Sequence, residues 1–190
     1  MTVLCRAAAL AAFAFAPLAA HADAVSDALA AAQAAYEAGD LNGTSAQLIT
    51  ATKALAEMQG GLLLSHFPAA PDGWTRTDNT DMAANLGMIG GGSGGEARYD
   101  APDGSGVTLT AFADNMMVSS MAGMLGNPAM MAMMGKTEVI GGVTFLNQEG
   151  SFSALLDNRV LVQAQGGSEE QNRTILGLID FAAMAAFDKK

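Results

Sequence analysis

The sequence has few of the side chains on which most enzyme chemistry rests. Its 190 residues include one cysteine and two histidines. Two of these three, Cys5 and His21, lie in a segment with the marks of a removable leader. Met1 to Arg6 carries a single positive charge at Arg6, an apolar run follows from Ala7 to Ala19, and Ala20-His21-Ala22 forms an A-x-A cleavage pattern. Residues 1–22 are therefore expected to be a cleaved signal peptide, with a run too short to span a bilayer as a helix. Cys5 precedes the apolar run and is misplaced for lipid attachment. With no second run near spanning length, the processed chain is expected to lack a transmembrane segment and to reside in the periplasm.

Each absence excludes a chemistry. Without Cys5 the chain has no disulfide, no thiol nucleophile and no thiolate metal site. Its remaining histidine, His66, follows Ser65 directly, and neighbours in an extended segment point to opposite sides, so the two make no Ser/His dyad. Zinc needs three or four His, Cys or carboxylate ligands together, and calcium a regular run of acids; neither pattern occurs. Asp100 and Asp103 flank a turn, which accounts for them. The letters Gly90, Gly92 and Gly95 satisfy G-x-G-x-x-G, but a strand-like segment follows where a nucleotide site needs a helix. Positive charge is scarce as well: nine basic against 19 acidic side chains. Loss of Arg6 leaves eight basic groups and a net charge of −11, which repels nucleic acid. These exclusions point away from an enzyme.

Hydrophobic residues are 51% of the chain and aromatics only 6%; 13 methionines and many alanines make up the difference. The core is expected to consist of small and flexible side chains. Residues 23–59 read as a helical hairpin, because Val25, Leu29, Ala32 and Tyr36 recur on one helical face. Gly39-Asp40 breaks it, Thr44 or Ser45 is placed to cap the second helix, and Leu48, Thr52, Leu55 and Met58 continue there. The pattern Ala32-x-x-Ala35-Tyr36-x-Ala38-Gly39-Asp40-Leu41 resembles the helix pairs of tetratricopeptide-type repeats. No second copy follows, so the hairpin is expected to dock on the next domain or on a second subunit.

Residues 60–72 read as a connector and 73–190 as an α+β sandwich domain. A first strand falls near Trp74, with a glycine-rich loop over 79–95. A hairpin over 97–113 turns at Pro102-Asp103-Gly104. In it Val107, Leu109, Ala111 and Ala113 take one face, and Thr108, Thr110 and Phe112 the other. Further strands follow at 137–140, 143–148, 152–156 and 159–165, with Gly141-Gly142 and Asp157-Asn158 suited to tight turns. A closing helix begins with the capping box Ser168…Gln171 and carries Ile175, Leu178, Ile179, Ala182 and Ala186 as its inner stripe. The expected fold is α+β: an N-terminal helical hairpin, then a mostly antiparallel sheet with a methionine-rich crossover helix and a C-terminal helix packed on it.

The crossover, residues 114–135, holds eight methionines. Asp114 or Asn115 is placed to cap a helix in which Met117, Met121 and Met124 share a face. Gly126 ends it, and Asn127-Pro128 starts a new turn carrying Met130, Met131, Met133 and Met134. Three readings stand: an adaptable core stripe, a docking surface for a varied apolar partner, or a soft thioether site for Cu(I). On the first, Met116, Met131 and Met133 should point away from the sheet.

The helical hairpin, Pro68-x-x-Pro71-x-Gly73-Trp74, Asn127-Pro128, and Asn158-Arg159-Val160-Leu161-Val162 with Ile179-Asp180 together resemble a family of uncharacterised exported proteobacterial proteins. The order of strands and helices is similar to the sandwich shared by the photosystem PsbP protein and the Mog1 protein. Neither resemblance implies catalytic residues. The expectation is a non-catalytic periplasmic binding or assembly module acting through protein–protein contacts, without a cofactor. Its partner is an unknown periplasmic protein or, through the hairpin, a second copy. The alternative is a periplasmic copper protein binding Cu(I) through Met117, Met121, Met124, Met130, Met131 and Met134.

Overall fold

The computed structural model describes residues 24–79, 82, 86 and 92–189. The expected leader, 1–22, and most of the glycine-rich stretch, Gly90 included, lie outside the described residues. Two helices come first, α1 (Ala24–Glu37) and α2 (Leu41–Ser65). Between them Gly39 sits at φ +77°, a left-handed position that glycine takes without a Cβ penalty. The cap of α2 is Asp40, whose carboxylate accepts from the Gly43 N–H at 2.8 Å. Thr44, expected as a cap, lies inside the helix and donates back to the Asp40 carbonyl.

α2 runs through Gly60-Gly61 to Ser65, so the expected connector is helical over its first six residues. Local propensity opposes this; packing overrides it. Gly60 is buried against the sheet, and tertiary contact supplies most helix stability in proteins. The helix end is also held from outside. Arg76 donates to the carbonyls of Leu64, Phe67 and Pro68 at 2.9–3.1 Å, and the Tyr99 hydroxyl donates to the Pro68 carbonyl at 2.8 Å.

Seven strands form one antiparallel sheet: β1 (Thr75–Asn79), β2 (Ser93–Asp100), β3 (Gly106–Ala113), β4 (Lys136–Ile140), β5 (Val143–Gln148), β6 (Ser151–Leu156) and β7 (Val160–Gly166). Their order is β1-β2-β3-β7-β6-β5-β4. Two meanders thus meet at the central β3–β7 pair, whose register runs from Val107↔Gly166 to Ala113↔Val160. Hairpin turns at Gly141-Gly142, Glu149-Gly150 and Asp157-Asn158 hold both residues at positive φ, the backbone that matches the twist of the flanking strands. β2 begins at Ser93, so Ser93-Gly94-Gly95, expected in a loop, is strand.

The crossover between β3 and β4 comprises α3 (Met116–Leu125) and α4 (Pro128–Met134). The chain closes with α5 (Glu169–Gly177) and α6 (Phe181–Ala185). The expected single last helix is therefore two. Asp180 accepts from the Ala183 N–H and starts α6 afresh, because its short side chain competes for backbone groups. Leu178, Ala182 and Ala186 consequently face solvent, and Phe181, Met184, Ala185 and Phe187 join Ile175, Leu176 and Ile179 inside.

Period-two alternation gives the sheet two apolar faces. One carries Ala97, Tyr99, Val107, Leu109, Phe145, Phe152, Val160 and Val162, and is covered by the end of α2, by α5 and by α6. The other carries Phe112, Leu146 and Leu161 beneath α3 and α4. Glycines 94 and 95 let the chain approach β2 from both sides. A Cβ at Gly95 would lie 2.9 Å from Leu64, and one at Gly94 would collide with Leu86.

Candidate functional site: two apolar helical surfaces

The crossover is built on an asparagine. Asp114 turns out of β3 at φ +55°, and Asn115 caps α3 by accepting from the Val118 N–H at 2.9 Å. That start sets the rotation of the helix. Val118 and Leu125 are buried, with Met121 packed beside them, so the inner stripe is Val118–Met121–Leu125 rather than Met117–Met121–Met124. As expected, Gly126 ends α3, and Asn127 caps α4 by accepting from the Ala129 N–H.

The eight methionines divide by depth. Met131, expected to point outward, is the most buried at 2% exposure, packed with Met121, Met134 and Met82 on Leu146 and Leu161. Met124 is half-buried. Met117 and Met130 are close to half-exposed, while Met116 and Met133 stand out at 77% and 83%. The crossover therefore serves as core filler along one side and shows thioethers to solvent along the other. Among the described residues, no three His, Cys, Asp or Glu side chains are grouped to hold a metal.

The second surface lies on the helical pair. Buried residues along the α1–α2 seam are Ala28, Ala32 and Ala51, so the helices meet through small side chains. Leu29 and Tyr36 stand three before and four after Ala32; Leu48 and Leu55 stand three before and four after Ala51. At 100° per residue both pairs are rotated 40–60° from the seam in the same sense. In an antiparallel pair the same sense of rotation puts both on the same flank. Leu41 and Leu62 extend the series, giving leucine at every seventh position of α2 from 41 to 62. All six side chains are exposed, Tyr36 and Leu41 by about two-thirds (66% and 68%). The charges of the helix body, Lys53 and Glu57, pair with each other on the opposite side of α2. Sequence periodicity groups Leu29, Tyr36, Leu48 and Leu55 on helix faces of a hairpin expected to dock on the next domain or on a second subunit; in the structure they are exposed and the alanines form the seam.

Several polar groups elsewhere among the described residues serve the fold. The Ser65 hydroxyl donates to the Leu62 carbonyl at 2.6 Å and His66 closes α2 through its backbone, so the two side chains form no dyad at a helix end either. An open cleft of about 570 Å³ beside α4 is lined by Met134, Lys136, Asn147, Gln148 and Glu169. Three of its polar side chains are engaged: Gln148 donates to the Met134 carbonyl, Asn147 accepts from the Gly150 N–H, and Glu169 pairs with Arg173. Among the described residues, no helix is long and apolar enough to cross a membrane.

The fold is thus an α+β antiparallel sheet with helices on both faces and a helical pair at its N-terminal end. Set against known proteins, the chain matches no family model, no curated sequence and no solved structure.

Proposed function

We propose that this chain is an exported, non-catalytic binding or assembly module that works through protein–protein contacts, with the open flank of α1–α2 as its contact surface. One observation carries the proposal: six large apolar side chains, Leu29, Tyr36, Leu41, Leu48, Leu55 and Leu62, form an uncharged strip along two helices. Single exposed apolar residues are ordinary; a contiguous strip of several hundred Å² marks an interaction site. The base of α2 supports this role, since Gln59, Gly60, Leu63 and Leu64 seat it on the sheet while α1 packs on α2. Export rests on the leader pattern of residues 1–22, and the periplasm is the compartment it implies.

The test is a photo-crosslinking residue placed at Leu48, with Thr137 on β4 as the control position. A discrete protein adduct from Leu48 and none from Thr137 is the expected result. If positions 48 and 55 both give no adduct in the native extract, the proposal fails. A Cu(I)-binding role is the second reading, favoured by the gathering of Met82, Met121, Met131 and Met134 in one cluster. Titration against a competing Cu(I) chelator, with Met121→Leu and Met131→Leu variants, decides it.

A further inference from the structure

We infer that the occupant of the α1–α2 flank is a second copy of the same chain, and that the protein pairs through its helical arms into a four-helix bundle. This rests on the proposed contact surface and names its partner. Three observations select a like partner. First, the leucines of α2 recur at 41, 48, 55 and 62, a seven-residue spacing that supplies one of the two apolar positions per heptad of a helix–helix seam. An irregular groove or a membrane surface requires no such repeat.

Second, the strip is self-complementary. Its six large residues are apolar, bordered by Thr52 and Gln59 on α2 and on α1 by Gln33 and Glu37, which hydrogen-bond to each other, with Lys53 and Glu57 turned away. A chain of net charge −10 therefore meets its own copy there without opposing like charges. Third, the area is of the right order. With exposures of 46–68% and at most roughly 200 Å² for a large side chain, the six residues offer on the order of 600 Å² per copy. That is about three-quarters of the ~800 Å² each partner gives up in a stable interface, and the residues bordering the strip add to it.

The orientation follows as well. The leucine series is centred between Ala51 and Thr52, and an antiparallel pairing places Leu41 of one copy against Leu62 of the other. It also keeps the two acidic sheet domains at opposite ends of the bundle. A two-fold axis then passes close to Thr52, an exposed residue at the edge of the strip.

Sedimentation equilibrium of the purified protein tests this. The expected species has twice the chain mass at micromolar concentration, and Leu48→Lys combined with Leu55→Lys shifts it to a monomer with an unchanged near-ultraviolet circular dichroism spectrum. A double change on the other apolar surface, Met116→Lys with Met133→Lys, leaves the dimer intact. Should the arm variant unfold, Thr52→Cys in a Cys5→Ser background gives an independent answer. Under mild oxidation it forms a disulfide-linked dimer, and Leu41→Cys in that background does not. A native protein monomeric at 100 µM overturns the inference, as does a dimer that survives the Leu48/Leu55 change or crosslinks through Leu41 but not Thr52. A monomeric protein that still gives a discrete foreign adduct from Leu48 would sink the self-pairing alone; silence in both experiments would sink the docking surface too.

Discussion

Arg159 joins three parts of the chain through one guanidinium. It donates to Asp114 at the start of the crossover at 2.5–3.0 Å and to Asp188 at the C-terminal end at 2.6–2.7 Å, and it lies 5.1 Å over the Phe187 ring. The hydrogen bonds from Arg159 hold the Asp188 carboxyl below its usual range. A depressed folded-state value contributes stability above the ordinary Asp range near ~3.9 and loses it as pH falls through the folded value. Arg159→Met is thus expected to lower stability by about 1 kcal/mol at pH 7. The gap from the parent should shrink below pH ~4, as urea midpoints at pH 7 and pH 3 would show. Tyr99 has the opposite sign: burial pushes its hydroxyl up to about 12. Stability should decline as pH rises from 10 towards that value, and Tyr99→Phe, which loses the bond to the Pro68 carbonyl, should flatten that decline in a pH series of thermal midpoints. Neither residue was legible as a linchpin. Arg159 and Asp114 are 45 positions apart, and sequence patterns carry no signal for pairs closed only by tertiary structure. Gly95 is a further case: in sequence it is one of several loop glycines, yet it lies under Leu64. Gly95→Val is expected to cost about 2–3 kcal/mol through overpacking, read from the denaturation midpoint.

Elements were more legible than the residues that join them. The sheet strands outside 79–95, their turns and the capping box at Ser168 follow from alternation and turn chemistry, which are local. The errors fall where packing or a capping side chain decides. α2 outruns its glycines because the sheet supports it, and the last helix breaks because Asp180 captures a backbone N–H. In the crossover, eight similar letters hid which side faced in, since methionines on both the inner and the outer side make the period of methionine uninformative. Val118 and Leu125, the less conspicuous apolar residues, mark the inner side. This division predicts an order of oxidation. Under dilute peroxide Met116 and Met133 should form sulfoxide first, Met117 and Met130 next, and Met131 and Met184 only on unfolding, as peptide mass spectrometry would show. Asp180→Ala, removing the α6 cap, is expected to cost about 1 kcal/mol and to loosen Phe187 and Asp188 from Arg159.

For the whole molecule, composition and element order were enough for the α+β class, but not for the placement of helices on both faces. That placement depends on α3 and α4 crossing opposite to α5 and α6, and an antiparallel sheet with one buried face would have satisfied the same strand patterns. Topology has a temporal side too. The central ladder joins β3 to β7, whose partners lie roughly fifty positions apart, so a long loop must close before the two meanders become one sheet. Until residues 160–166 are available, β3 and β6 both expose unpaired edges, and each meander is a small sheet with half a core. A growing or incompletely delivered chain is therefore exposed to edge-to-edge association until its last 30 or so residues arrive, and the native state forms late and at once rather than by halves.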